Sequence, residues 1–374
     1  MASKSWGFAF SGGRLLGMLF LLLTCLCLSV SASAQLQALS DGSLAEQSGQ
    51  GLLDMVTINP GQAGAASAPA IDNGLTFYRM AINGTLNMNA NINQLNLGCG
   101  GVNDALVPGV CDISFDYVRF LGNNGNNGPG APGSDFTLQR PYITLAVNNA
   151  GSNNRDLVGV QIGSQSATGY FGVGQVLNNG QVNPYNGKTC GGSNDPNCQI
   201  GINAFSGNIG LTMNGQVSGT TWLLPLPYTS KINNVSTVQS GTRMQQAYVM
   251  LSSTPTTIAG LLTINASIAL TEPMKYIHGM SFNGIPNFAL SMQRQQVSWP
   301  NYDYTSATDG YYATPANTGW WMNMPSNVTI NGINGTYNLS ASQTAGALFV
   351  TIPLSNVSMG QTPVRNCMGS VTFC

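Results

Sequence analysis

The run LNMNANIN at residues 86–93 alternates an apolar residue with an asparagine at every step. A period of two places the apolar side chains on one face of an extended strand and the asparagines on the other. The same alternation returns in LTINASIAL at residues 262–270 and around Val350 and Ile352. A helix would need a different spacing, and threonine, valine and isoleucine favour the pleated surface of a sheet. The sequence therefore predicts an all-β fold.

A four-residue phrase recurs along the chain, as VTIN at 56–59, LTMN at 211–214, LTIN at 262–265 and VTIN at 328–331. The spacing between copies is irregular, so the phrase does not define a repeat of fixed period. Two interpretations stay open at this point. The copies are either a coincidence of strand composition or the units of a stack in which asparagine and threonine form rows. We therefore predict either an elongated β-solenoid-like roll or a large β-sandwich.

Charged residues make up only 7% of the 374 residues, and the sequence contains one histidine, His278. A typical soluble domain is about one quarter charged. The apolar fraction of 43% is still sufficient to form a core. Acid–base catalysis and metal binding draw on charged or imidazole groups. We therefore expect no enzymatic activity and no cofactor, and we expect His278 to be structural.

The first 34 residues have the organisation of a secretory signal peptide. Lys4 and Arg14 precede an apolar run at 15–30, and Ala-Ser-Ala follows at 32–34. A basic start, a short apolar stretch and a small-residue cleavage site are typical of such peptides. An uncleaved membrane anchor is the alternative interpretation. The pattern predicts export to the cell surface, the outer membrane or the medium, with a mature chain that begins at Gln35.

The rest of the chain is predicted to hold an N-terminal segment at 35–54 and a β-rich domain at 55–374. A short helix is expected in the first segment, with Ser40 or Asp41 as its capping residue. No obvious linker divides the β-rich part. Residues 231–243, a polar and weakly patterned stretch, are the best candidate for a break between two β halves.

Six cysteines follow the signal peptide and fall into three pairs that are local in sequence. These are Cys99 with Cys111, Cys190 with Cys198, and Cys367 with Cys374. In an exported chain this pattern indicates three short disulfide-closed loops, although six cysteines allow many other pairings. A zinc site is not indicated, because no Cys-x-x-Cys motif and no nearby histidine accompany these cysteines.

Without Lys4 and Arg14 the mature chain keeps ten basic and thirteen acidic residues. This weak and scattered charge argues against nucleic acid as a partner. Only three lysines are left, Lys188, Lys231 and Lys275. Natural sheets normally protect their edges with lysine or other charges. We therefore expect edges that are covered within the fold or that pair with another chain, with like subunits as the candidate partners.

Seven large aromatic residues cluster in the polar stretch at 299–321. They are Trp299, Tyr302, Tyr304, Tyr311, Tyr312, Trp320 and Trp321. Such rings can stack on sugars or anchor a protein partner. They can equally pack an insertion onto the β body or form an aromatic girdle at a membrane interface. They are the candidate residues for contact with a partner or a glycan.

Two parts of the chain resemble a known group of proteins. One is LQALSD at 36–41, and the other includes LGCGG at 97–101, RPYI at 140–143 and GYFGVG at 169–174. Together they resemble exported surface proteins of Gram-negative bacteria described as Fil-type pilus or filament proteins, over residues 35–175. The resemblance implies a role at the cell surface or in association with pili, and it brings no catalytic residues.

The leading hypothesis is an exported structural or adhesive surface protein, associated with pili or filaments, that acts by assembly or surface contact. Its expected partners are like subunits, other pilus or surface proteins, or glycans. An outer-membrane β-barrel is the first alternative, because alternating strands and the aromatic Phe373 near the C-terminus suit it. A polysaccharide-active enzyme on a β-helix is the second, but it needs paired carboxylates, and the thirteen acids are mostly isolated.

Overall fold

The computed structural model describes most of the chain from Gln50 onward. The described residues are 50–63, 74–126, 128–184, 186–192, 195–222, 225–306, 310–341, 352–355 and 361–366. The predicted signal peptide, the predicted N-terminal helix and the predicted Cys367–Cys374 pair lie outside them. Residues from Gly51 onward belong to one compact unit.

The all-β prediction is confirmed, because about 60% of the residues lie in strands. Within the described residues the strands are β1 (Leu53–Ile58), β2 (Thr76–Ile82), β3 (Thr85–Met88), β4 (Ala90–Leu97), β5 (Ile113–Leu121), β6 (Phe136–Asn148), β7 (Asp156–Gly172), β8 (Gln175–Val176), β9 (Gln199–Ile200), β10 (Ile202–Thr220), β11 (Pro227–Met244), β12 (Gln246–Ile258), β13 (Leu262–Pro273), β14 (Gly279–Gln293), β15 (Gly319–Thr336) and β16 (Ile352–Ser355). The same described part contains short 3-10 helices at Gln50–Leu52, Val102–Ala105, Pro196–Cys198 and Met274–Tyr276.

Fourteen of these strands form one sheet, and β8 and β9 form a separate ribbon. The main path through the sheet runs β1-β2-β6-β7-β14-β15-β10-β11-β12-β13-β16. β4 pairs with one edge of β5, while the other edge of β5 pairs with β10 at its start and with β7 at its end. Because β7 and β10 are already joined through β14 and β15, this double pairing closes a ring of five strands.

The predicted solenoid-like roll is wrong, since the path of pairing returns to its starting strand instead of advancing along an open axis. The predicted large sandwich also differs from this single continuous sheet. The physical reason lies in bulges that the alternation does not reveal. Asn234, Asn287 and Asn327 adopt left-handed φ angles of 49°, 52° and 61°. Each lies at a register shift between neighbouring strands. Bulges bend and twist the long strands, which favours closure over straight stacking.

Two copies of the recurring phrase lie side by side in this ring. LTMN at 211–214 pairs in parallel with VTIN at 328–331, with the first three residues of each opposite their counterparts. The Nδ2 atom of Asn214 donates to Oδ1 of Asn331 over 3.1 Å. These two copies therefore lie on adjacent strands of the ring, β10 and β15, whereas the other two lie in β1 and β13, outside the ring. The phrase does not mark the units of a stack.

Phenylalanine rings form the centre of the main apolar core. Phe115, Phe171, Phe205 and Phe282 are at most 1% exposed. The ring centroids of Phe115 and Phe171 are 5.9 Å apart in an edge-to-face arrangement, and those of Phe171 and Phe282 are also 5.9 Å apart. Aromatic pairs at such distances add about 0.5–1.5 kcal/mol to the stabilisation from burial alone. Phe205 also stacks on Phe115 with ring centroids 6.3 Å apart. Together these contacts join β5, β7, β10 and β14 across the ring.

The polar stretch at 231–243 lies inside β11, which pairs with β10 along most of its length. The chain therefore does not divide into two halves at this stretch. Its polarity reflects strand positions that are partly exposed rather than a linker.

Two of the predicted disulfides are present. Cys99 is bonded to Cys111, and Cys190 is bonded to Cys198. Both are local pairs, as the spacing predicted. Each closes an irregular loop next to the ring, one before β5 and one before β9.

Arg243, at the end of β11, holds the first of these loops against the sheet. Its Nε atom donates to Oδ1 of Asp112 over 2.8 Å, and its Nη atoms donate to the carbonyl oxygens of Val107, Gly98 and Gly100. The side chain of Arg243 is completely buried and that of Asp112 is 4% exposed. Removing one partner of such a buried ion pair strongly destabilises the folded protein, because the other charge stays buried without compensation.

Asp112 in turn connects the loop to β15. Its Oδ2 atom accepts a hydrogen bond from the backbone N–H of Trp320 over 2.9 Å, and its Oδ1 atom accepts one from Asn103. The contact is tight at Gly98, where φ is 68° and a Cβ atom would overlap Oδ2 of Asp112. Gly98 therefore meets two demands that only glycine satisfies together.

Replacing Arg243 with alanine is expected to reduce the free energy of unfolding by about 3–5 kcal/mol, because Asp112 is left charged, buried and unpaired. Urea denaturation of the oxidised protein measures this change. The control is Arg294→Ala, which removes the exposed ion pair between Arg294 and Asp156. Exposed pairs contribute about 1 kcal/mol or less. Equal losses in the two variants would contradict a special role for Arg243.

Candidate functional site

One face of the sheet, formed by β1, β2, β6, β7 and β14, exposes many large apolar side chains. In one row across these strands, Met55 lies opposite Met80, Met80 opposite Ile143, and Ile143 opposite Ile162. The next row places Tyr78 opposite Leu145, and a third places Leu53 opposite Ile82. Paired residues of neighbouring strands share one face of a sheet. We call this surface the apolar face.

The exposed large residues of the apolar face are Leu53, Met55, Tyr78, Met80, Ile82, Ile143, Leu145, Ile162 and Met292. Met55 is 77% exposed and Ile162 is 59% exposed. None of the paired positions in these described rows carries a charge. Scattered exposed apolar residues are ordinary, but a contiguous patch of this kind marks an interaction site in soluble proteins.

The opposite face of the same strands carries a row of buried residues that is largely polar. Arg79, Thr144, Gln161, Ser291 and Trp321 lie opposite one another across β2, β6, β7, β14 and β15. All five are at most 5% exposed. The usual arrangement of a half-buried sheet, apolar inside and polar outside, is therefore inverted in this row.

Arg79 explains how the inverted row is stabilised. Its Nη atoms donate to the carbonyl oxygens of Pro300, Asn301 and Tyr302 over 2.7–2.9 Å. Its guanidinium carbon also lies 4.7 Å from the ring centroid of Tyr142. Carbonyl acceptors and an aromatic face compensate a buried guanidinium for its lost hydration. The segment that begins at Pro300 is thereby fixed over the polar side of the sheet.

The predicted aromatic cluster forms this cover. Trp299, Tyr311, Tyr312 and Trp321 are buried, and Tyr302, Tyr304 and Trp320 are half-buried. The hydroxyl of Tyr312 lies 3.1 Å from the hydroxyl of Tyr142 and accepts a hydrogen bond from Nε2 of Gln161. Burial raises the pKa of Tyr312 well above its usual value, so the phenol stays neutral. Four of the seven rings therefore pack onto the β body. Of the seven, Tyr302, Tyr304 and Trp320 are the ones exposed enough to contact a partner or a glycan.

An apolar cleft adjoins the apolar face at β7 and β14. It has a volume of about 330 Å³, and its lining includes Leu157, Val160, Met292 and Val102. Val160 and Met292 are paired across β7 and β14. The apolar face therefore continues into a concave region, which gives a partner surface a place to insert a side chain.

The apolar face ends at β1, which is the terminal strand of the sheet path. β1 pairs with β2 through all six of its residues, and within the described residues no other strand pairs with it. An edge strand offers unpaired N–H and C=O groups for the addition of another strand. The one charged residue of β1, Asp54, is paired with the buried Ala81 of β2. Its side chain therefore belongs to the opposite face of the sheet from the apolar face.

His278 lies in the core and has structural contacts. It is 1% exposed, with Nδ1 at 3.1 Å from the carbonyl oxygen of Val173 and Nε2 at 2.7 Å from Oε1 of Gln199. Burial, the largest cause, lowers its pKa to about 4, and nearby Arg119 also disfavours the cation. The ring is therefore neutral near pH 7. These contacts agree with the structural role expected from the sequence.

The apolar face is the feature that sequence reasoning missed. Its signal is present in TFYRMAI of β2 and in YITLAV at 142–147, where apolar residues occupy both alternating sets of positions. A strand that is apolar on both faces is buried on both or contacts a partner. The isolated Arg79 in the first run is a second signal. A lone arginine in an apolar strand needs hydrogen-bond acceptors, so it indicates the face of the sheet on which another segment packs.

The pKa of His278 predicts a pH dependence of stability. In the unfolded chain the ring takes up a proton as the pH falls through about 6.5, whereas in the folded chain it resists protonation down to about 4. The contribution is therefore complete above pH 6.5 and is lost as the pH falls towards 4, with a size of about 3 kcal/mol. Denaturation midpoints measured between pH 7 and pH 5 should fall in the wild type. In His278→Gln the midpoint should depend less steeply on pH over the same range. An unchanged dependence would show that carboxyl groups, and not His278, cause the loss of stability.

Neither a membrane-spanning helix nor a metal centre adds to this site within the described part of the chain, and comparison with known proteins adds no further site residue. In the described residues no helix is long and apolar enough to cross a membrane. The same residues contain no group of three histidine, cysteine or acidic side chains placed to hold a metal ion. No family model, curated protein or solved structure matches the chain.

Proposed function

We propose that this protein is an exported structural protein of the cell surface that assembles with like subunits through its apolar face. The observation that carries the proposal is the uncharged set of exposed apolar rows across five strands. Fully burying a methionine, leucine or isoleucine contributes about 1.5–3 kcal/mol, so covering several half-exposed ones supports a stable contact.

A second copy of the chain fits this surface better than an unrelated charged partner. The rows offer no charges to select such a partner, and electrostatic complementarity is a main source of specificity between different proteins. Apolar side chains that protrude from a sheet can interdigitate with an identical set. β1 carries Leu53 and Met55 of the apolar face and is also an edge strand. A second copy can therefore pair with this edge and pack against the apolar face in the same contact.

The sequence supports the same location and role. The predicted signal peptide and the local disulfides suit an oxidising compartment outside the cytoplasm. The resemblance to Fil-type surface proteins implies association with pili or filaments. We therefore propose filament-like assembly or surface contact as the mode of action, with like subunits or other pilus proteins as partners.

Lysine substitutions on the apolar face test assembly. Met55→Lys and Ile162→Lys place a charge at two highly exposed positions, so the fold is retained while the contact is opposed. Each is expected to weaken self-association by at least about tenfold, which corresponds to about 1.4 kcal/mol. Sedimentation velocity across a concentration series measures the change. Val238→Lys on β11, 63% exposed and outside the apolar face, is the matched control and should associate as the wild type does.

A wild-type protein that stays monomeric at every concentration would contradict assembly through this face. Flotation of the wild type with phospholipid vesicles, lost in Ile162→Lys, would instead assign the face to lipid and support the outer-membrane alternative. Equal weakening in all three variants would show that the added charge acts without regard to position.

The location is tested on the protein recovered from the cells that produce it. Mass spectrometry of the intact protein is expected to show an N-terminus at Gln35, because signal peptidase cleaves after Ala-x-Ala. Electron microscopy of surface-labelled cells, with and without the protein, should then place it on the surface. An intact Met1 terminus in the cytosolic fraction would contradict export.

A further inference from the structure

A polar groove on another part of the molecule has a composition of its own. Two cavities, of about 760 Å³ and about 360 Å³, share the lining residues Asn203, Gln245 and Lys275. They therefore form one continuous groove, which we call the amide groove. Each of the two cavities has a volume in the range of pockets that bind small molecules, about 300–1,000 Å³. None of its lining residues belongs to the apolar face.

Carboxamide side chains dominate the lining of the amide groove. Gln94 and Asn96 come from β4, and Asn203 comes from β10. Gln245 lies between β11 and β12, and Gln246 is the first residue of β12. Each carboxamide offers two N–H donors and a carbonyl acceptor without net charge. Several of them along one groove match a ligand with many hydroxyl groups.

Part of this hydrogen-bonding capacity is unused. The side chains of Gln245 and Gln246 are exposed and form no hydrogen bond to any described residue. Nδ2 of Asn203 donates to Oδ2 of the buried Asp116 over 2.5 Å, which fixes the amide. Its Oδ1 atom has no hydrogen bond within the described residues. The groove thus offers one acceptor at a fixed position, on Asn203, and two exposed amides that are free to turn towards a ligand.

The lining of the groove carries few charges. No carboxylate lines either cavity in the described structure. Arg243 lines one of them, but its guanidinium is already bonded to Asp112 and to loop carbonyls. Lys275 is the other cation; it is half-buried, and the nearby carboxylate of Asp195 offsets part of its charge. The groove therefore has little net charge with which to select an acidic ligand. Val107, Ile202 and Met244 also line the groove and can contact the C–H groups of a sugar ring.

One disulfide-closed loop lines the groove directly, through Cys111 and its neighbours Gly109 and Val110. Asn183 and Asn186 also line it, and they come from the segment that precedes the loop closed by Cys190–Cys198. Nδ2 of Asn183 donates to the carbonyl oxygen of Asn197 over 2.9 Å, which ties this segment to the loop that Cys190–Cys198 closes. Covalent closure preorganises a rim, and preorganisation reduces the entropy lost on binding.

From these observations we propose that the amide groove binds a neutral oligosaccharide through hydrogen bonds from carboxamides. Uncharged hydroxyls satisfy the donors and acceptors, and rigid walls supply the apolar contacts. This assignment differs from the aromatic cluster at 299–321, whose rings lie elsewhere and are largely buried. It also stands independently of the proposed assembly, since the two sites share no residue.

A glycan array tests the proposal, with the protein purified in the form that producing cells accumulate. The probes are immobilised oligosaccharides of neutral hexoses and N-acetylhexosamines, beside sialylated and uronate-containing ones. Binding to neutral probes is expected. It should change little when the ionic strength is raised from about 0.1 M to about 1 M, because salt screens only charged contacts.

Calorimetry with the best neutral probe then locates the site. Gln245→Ala is expected to weaken binding about fivefold through the loss of one hydrogen bond. Gln216→Ala, at an exposed glutamine of β10 outside the groove, is the matched control and should leave affinity unchanged. Met55→Lys should also leave it unchanged, which separates this proposal from the assembly proposal.

Three results would overturn the proposal. They are an absence of binding to every neutral probe, binding to acidic probes alone, and neutral binding that survives Gln245→Ala but is lost in Tyr304→Ala. The last result would assign the glycan to the half-buried aromatic residues instead.

Discussion

The change of partners along one edge of β5 is the constraint on which the rest of the fold depends. This edge pairs with β10 at Ile113–Phe115 and with β7 at Arg119–Leu121. Between them Tyr117 adopts a left-handed φ of 50°. The gap is bridged by hydrogen bonds from the backbone N–H of Asp116 to the oxygen of Gly201 and from Gly174 N–H to the oxygen of Asp116.

Closure at this point requires backbones to approach closely. Gly174 has a φ of 81°, and a Cβ atom there would overlap the carbonyl oxygen of Ile200. The side chain of Asp116 is buried at this point, and burial raises its pKa despite the hydrogen bond from Asn203. The same Asn203 lines the amide groove, so the strand that closes the ring also sets the groove's floor. Closure and the geometry of the candidate binding site therefore depend on one set of contacts.

Sequence alone predicted what is local and missed what is assembled from distant strands. The alternation at 86–93 did predict strands, β3 and β4, and the spacing of Cys99, Cys111, Cys190 and Cys198 did predict local disulfides. The asparagines of that run do not form a simple row, however. Asn89 and Asn91 hydrogen-bond to Asn366, far away in sequence. Neither this pairing nor the left-handed asparagines at the bulges leave a pattern in the local sequence, so ring closure was not predictable. The apolar face was missed because alternation tells which residues share a face but not which face is covered.

The low charge of the chain acquires a more specific meaning from the positions of its few ionisable residues. Arg79, Arg119, Arg243, Asp112, Asp116 and Glu272 are all buried. In Arg79 and Arg243 the charge is used to fix irregular segments to the sheet, a task that carbonyl acceptors can share. The surface is therefore poorer in charge than the composition suggests, and carboxamides supply its polarity. Carboxamides keep a surface hydrated without the long-range repulsion that separates charged neighbours. An apolar face on such a surface meets little electrostatic opposition from another copy, and this physical condition is what assembly through the face needs.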